Sequence, residues 1–98
     1  MKTKVLVSSQ VECFVKSLAP EPRRLLIRAI KGLALDKGDR KLLEGKLSGY
    51  QRLRVSGMRV VYKEISQAGV RQIVCIYVNY RSVVYEMFTQ LLADQLLD

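Results

Sequence analysis

Histidine is absent from this 98-residue sequence. That absence excludes Ser-His-Asp triads, histidine acid–base pairs and histidine-ligated metal sites, and no metal or other cofactor is expected. Cysteine occurs twice, as Cys13 and Cys75, which makes neither a CxxC pair nor a disulfide framework. Both are expected to be packing residues. Proline also occurs only twice, against 49% hydrophobic residues, so the chain has a core to bury and is no disordered tail. No stretch approaches the ~20 consecutive apolar residues of a membrane span. The apolar run in residues 1–7 is too short for a secretory signal and lacks a small-residue cleavage site. The expected compartment is the cytoplasm, with no membrane partner. Acidic residues are scarce too: 9 against 17 Lys and Arg, a net charge of +8. A small domain this basic meets an anion, whether nucleic acid, phosphate or acidic protein.

The length suits one domain, residues 1–98. Residues 2–7 read as an opening strand. Ser9 followed by Glu12 has the spacing of a capping box, and Val11, Phe14, Val15 and Leu18 then recur at helical spacing. Pro20 and Pro22 stop that helix, and Pro22 suits the first turn of a second one. The second helix turns Leu26, Ile27, Ile30, Leu33 and Ala34 inward and Arg23, Arg24, Arg28 and Lys31 outward. Gly38 is its expected stop. Beyond residue 40 the period falls to two. Residues 50–55 alternate, Ser56-Gly57 turns, and 59–65 form the next strand. Gln67-Ala68-Gly69 turns again, and 70–77 is the nearly continuous apolar run of a central strand. From Ser82 onward, Val84, Phe88, Leu91 and Leu92 space out as a terminal helix. The expected class is α+β: an N-terminal strand and αα-hairpin on a mainly antiparallel sheet, in the order β-α-α-β-β-β-α.

Charge is concentrated between residues 40 and 63. Arg40, Lys41, Lys46, Arg52, Arg54, Arg59 and Lys63 stand there against Glu44 alone. Arg52 and Arg54 share one face by the two-residue strand period, and Arg59 opens the adjoining strand. Three guanidiniums on one face repel one another unless an anion neutralises them. Arginine also offers a planar fork that matches phosphate oxygens, which lysine lacks. Beyond the apolar strand, Arg81 and Tyr85 lie four apart, on one side of a helical turn. Arginines beside an exposed ring suit an RNA cradle, in which the guanidiniums clamp phosphates and the ring stacks on a base.

Leu43, Gly45, Leu47, Gly49, Arg52, Arg54, Gly57, Arg59 and Tyr62 stand in an order that resembles the signature of RelE-type toxins. Phe14 through Pro20 and Arg23 are similar to the helix–proline–helix opening of the RelE/ParE superfamily. Arg81 to Tyr85 resembles its closing R-x-x-x-Y element, so the likeness covers nearly the whole chain. Met58 departs from it, standing where many members have an aromatic residue. Asn79-Tyr80 replaces the usual G-H or G-K dipeptide, which makes Tyr80 a second candidate for stacking.

The resemblance implies a toxin of a type II toxin–antitoxin system, a ribosome-dependent mRNA endonuclease that cuts in the A site and inhibits translation. The implied partners are a cognate antitoxin, the ribosome and mRNA. Arg59, Arg81 and Tyr85 would be the catalytic residues of this metal-independent endoribonuclease. Lys46, Arg52, Arg54, Lys63 and Tyr80 would be the RNA-binding ones. Two alternatives stand beside it. One is a ParE-like toxin that inhibits DNA gyrase without cutting RNA; the other is a non-catalytic basic RNA-binding module.

Overall fold

Strand β1 (Lys2–Val7) lies parallel to β5 (Val70–Tyr80), with Val5 opposite Ile73. The computed structural model describes residues 2–94; Met1 and residues 95–98, which the one-domain reading includes, lie outside the described residues. Helix α1 (Ser9–Ser17) follows directly. Its cap is Ser8, one residue before the expected box: Ser8 is extended and its Oγ accepts from the Val11 amide at 3.3 Å. The reason is tertiary. The Ser8 hydroxyl also donates to the Ile76 carbonyl at 2.6 Å, and its amide donates to the Cys75 carbonyl at 2.9 Å. Ser8 therefore closes a helix start and a strand edge together. Two residues on, Gln10 does the same to Val78, accepting from its amide at 2.9 Å and donating to its carbonyl at 2.8 Å.

Both prolines fall in the first turn of α2 (Pro20–Gly32), where their missing N–H groups cost nothing. Arg23 is not an outward cation. It donates to the Lys16 and Leu18 carbonyls at 3.1 and 2.8 Å and so closes the end of α1. The helix tightens into a 3₁₀ turn at Leu33–Leu35 and stops at Asp36, in the left-handed region with φ 56°. The expected stop, Gly38, lies two residues later, with φ 104° and room for no side chain: a Cβ there would sit 2.7 Å from Leu53 Cδ1.

Four antiparallel strands complete the sheet: β2 (Asp39–Leu42), β3 (Gln51–Val55), β4 (Met58–Gln67) and β5, in the spatial order β1-β5-β4-β3-β2. β2 was not foreseen. All four of its residues are exposed, so no alternation marks it, and it exists by pairing with β3. One sheet face carries Leu53, Val55, Met58, Val60 and Tyr62 against the αα-hairpin; the other carries Val61, Ile76 and Tyr77 against Val84 and Phe88 of α3 (Val84–Ala93). The register slips between Val61 and Tyr62, whose partners are Tyr77 and Cys75. The slip leaves Ile76 unpaired, so consecutive Ile76 and Tyr77 both join the α3 core. The apolar run of β5 thus serves cores on both faces, as its composition anticipates.

The cysteines separate. Cys75 is buried, and burial pushes its thiol up to about 12. Cys13 is exposed, against the packing role expected for it. It lies two positions from buried Val11, roughly 200° around the helix, away from the Val11–Val15–Leu18 stripe.

Candidate functional site

Cross-strand register builds the candidate site. Asp39, Arg54, Arg59 and Asn79 are opposed in one row across β2, β3, β4 and β5. The next row is Lys41, Arg52, Val61 and Tyr77. Since Leu53, Val55, Met58 and Val60 point at the helix hairpin, both rows point to the α3 side. Helix α3 seals Val61 and Tyr77, leaves Asp39, Lys41 and Arg54 exposed, and leaves Arg52 and Arg59 partly covered. Tyr85, in the first turn of α3, completes this edge: with Lys41, Leu42, Leu43, Glu44 and Arg52 it lines a cleft of about 250 Å³.

The guanidiniums are held in three different ways. Arg52 Nη1 donates to Asp39 twice, to the main-chain oxygen and to Oδ1, each at 3.0 Å. Arg54 Nη1 reaches Asp39 Oδ2 at 3.9 Å. One carboxylate therefore relieves the repulsion expected between these arginines, from a residue just outside the 40–63 tract. Arg59 folds back onto the β3–β4 turn, and its Nη1 donates to the Ser56 and Met58 carbonyls at 2.9 and 2.8 Å. The backbone of Arg81 is tied to the same turn, its amide donating to the Gly57 carbonyl at 2.9 Å, while its side chain is exposed. Neither Arg59 nor Arg81 has a carboxylate partner among the described residues. Arg59 and the backbone of Arg81 are thus held at one turn, and a guanidinium with no carboxylate partner among the described residues suits an incoming anion.

The remaining expected residues are dispersed. Lys63 shares the sheet face but lies four residues along β4 from Arg59, about 13 Å by strand rise. Lys46 is exposed in a 3₁₀ turn at Gly45–Leu47, next to the cleft residue Glu44. Tyr80 stands on the opposite face, its ring 5.5 Å from that of Phe14 on α1 and tilted by 58°. It is not brought together with Arg59 or Tyr85. Three residues that were not among the expected site residues belong to the face instead: Asp39, Lys41 and Asn79. Asn79 lies beside Arg59, its amide donating to the Tyr77 hydroxyl at 2.9 Å and its oxygen accepting from the Tyr80 amide at 2.9 Å. The first two lie on β2, whose fully exposed residues give no alternation by which to find it.

Solved structures share this fold. The toxin–antitoxin complex RelBE2 from Mycobacterium tuberculosis contains a chain that superposes with a TM-score of 0.69 at 18% identity, covering 83% of this chain and 100% of that one. This is the RelE/ParE toxin fold. A YoeB/ParE toxin from Agrobacterium tumefaciens has it as well, with a TM-score of 0.63, 17% identity and coverage of 83% and 99% of the two chains. So does an archaeal RelE–RelB complex from Pyrococcus horikoshii, at 0.62, 25% identity and coverage of 83% and 97%. No family model matches the sequence, and no curated protein matches it. On the RelE/ParE fold of this chain the basic face occupies β2 to β4 and the start of α3, while the helix hairpin backs the sheet.

Proposed function

We propose that this chain is the toxin of a toxin–antitoxin pair and acts as a RelE-like, ribosome-dependent mRNA endonuclease in the cytoplasm. The observation that carries this reading is the placement of Arg59 and the backbone of Arg81 at one turn, neither side chain having a carboxylate partner among the described residues, with the Lys41–Arg52–Tyr85 cleft on the sheet face of Arg59. The cleavage needs no metal. The 2′-hydroxyl of the substrate gives up its proton to water and its oxygen attacks the adjacent phosphorus; the bond to the 5′-oxygen breaks, that oxygen takes a proton from water, and a 2′,3′-cyclic phosphate and a 5′-hydroxyl result. Arg59 and Arg81 neutralise the charge that builds on the non-bridging oxygens, a task for fixed, preorganised donors. Arg52, Arg54 and Lys41 hold flanking phosphates, with Lys46 and Lys63 as outlying contacts. Tyr85 stacks on a base at the cleft and fixes the nucleotide for in-line attack. The ribosome supplies the rest of the alignment. The partners are thus ribosome-bound mRNA and an antitoxin, the latter drawn to a surface of net charge +8.

Induction in cells followed by primer extension tests this. Codon-phased cuts that vanish in Arg59→Ala support it. Gyrase inhibition is the competing reading, since a YoeB/ParE toxin has the same fold. Intact mRNA with broken DNA would select it.

A further inference from the structure

We propose that Asp39 is a specificity-determining residue: a carboxylate that stands in for a substrate phosphate on Arg52 and Arg54. This inference rests on the RNA reading of the basic face. Its geometry is specific. Asp39 Oδ1 lies 3.0 Å from Arg52 Nη1, its main-chain oxygen lies 3.0 Å from the same nitrogen, and Oδ2 lies 3.9 Å from Arg54 Nη1. The Arg52 side chain is only 17% exposed, so its fork is held against β2 rather than sampling solvent. Asp39 itself is 55% exposed, so an incoming anion can reach and displace it.

A phosphate approaching this pair competes with a carboxylate of the same chain, tethered directly across the strand. Arg59, directly across from Arg54 on β4, carries no such competitor among the described residues; nor does Arg81, whose amide is tied to the adjoining turn. The face is thus divided into a guarded half, which grips flanking phosphates, and an unguarded half at the reacting phosphate. Free RNA, which must bind through general attraction, is held back by the guard. RNA already positioned by a larger assembly brings its phosphate in at high effective concentration and displaces it. The basic face therefore discriminates by how the substrate is presented.

The test is binding, not cleavage. A short single-stranded RNA blocked by 2′-O-methyl groups is titrated with wild type, Asp39→Asn, Asp39→Glu and Asp39→Ser across a salt series. Asp39→Asn is expected to bind about two- to fivefold more tightly at low salt, the range of one exposed ion pair. Its plot of log affinity against log salt should steepen by up to about 0.7, one further phosphate contact on a single strand. Asp39→Glu should return to wild-type behaviour, and Asp39→Ser repeats the charge loss should the asparagine variant fold poorly. A residue that merely aimed Arg52 would shift affinity the other way. Weaker or unchanged RNA binding in folded Asp39→Asn and Asp39→Ser would overturn the guard and leave the RNA reading standing. Absence of binding by wild type and variants alike would overturn both.

Discussion

At the scale of single residues, Tyr85 poses the sharpest chemical question. It lines the cleft with Lys41 and Arg52, and on the proposed reading an aromatic ring there contributes by stacking whether or not it carries a hydroxyl. Tyr85→Phe is therefore expected to keep most of the cleavage rate, and Tyr85→Ala to lose about 10- to 100-fold, since stacking on one base is worth about 1–3 kcal/mol. Single-turnover cleavage on programmed ribosomes reads both, and a Phe variant as dead as the Ala one would assign the hydroxyl a chemical role. The shared face of Arg52 and Arg54 was legible in the sequence, because the two-residue strand period places them there. Asp39 was not legible. Its role depends on the Asp39–Arg54 pairing between β2 and β3, and β2 has no hydrophobic alternation to betray it. Tyr80 was misleading for the opposite reason: its position next to Arg81 suggested the site, but strand alternation turns it to Phe14 on the far face.

At the scale of elements, both helices of the hairpin, four of the five strands and the last helix follow from periodicity and turn residues. What escaped was how they are fastened. Ser8 and Gln10 tie the start of α1 to the backbone of β5, long-range bonds that no local pattern encodes. Ser8→Ala removes a cap and leaves the Ile76 carbonyl without its donor. It is expected to cost about 1–2 kcal/mol of stability by urea unfolding, whereas Ser9→Ala should cost almost nothing; the reverse order would restore Ser9 as the cap. The bulge on β5 is a second hidden fastening. Ile76→Asp would bury an unpaired charge under α3 and should prevent folding. A soluble variant with an unchanged melting curve would contradict the placement of that strand.

Across the whole molecule, charge is arranged rather than merely abundant. At the end of the helix hairpin, Arg71 Nη2 sits 2.7 Å from both Asp36 Oδ1 and Glu64 Oε1 and binds the hairpin to the sheet. The Arg71 guanidinium, through its hydrogen bond and its charge, holds the Asp36 carboxyl below the usual carboxylate value. A depressed folded value means that this contribution to stability is complete above the unfolded value, near ~4, and fades as pH falls through the folded one. Asp36→Asn should therefore flatten the loss of melting temperature below about pH 4 relative to wild type; identical acid limbs would dismiss the contact. On the opposite side of the sheet, Arg59 has no carboxylate partner among the described residues, and the proposed function assigns it and Arg81 to the reacting phosphate. The most direct test of that assignment is single-turnover cleavage of mRNA on programmed ribosomes, with ribosome binding measured in parallel. Arg59→Ala and Arg81→Ala are expected to bind ribosomes normally and to lose on the order of 10²–10³ in rate, with Arg59→Lys rescuing little for want of the fork. Arg52→Ala should instead weaken binding and flatten its salt dependence by about one contact. Full cleavage by Arg59→Ala, with cleavage lost in Arg52→Ala, would place the chemistry elsewhere and reduce the turn to an electrostatic guide.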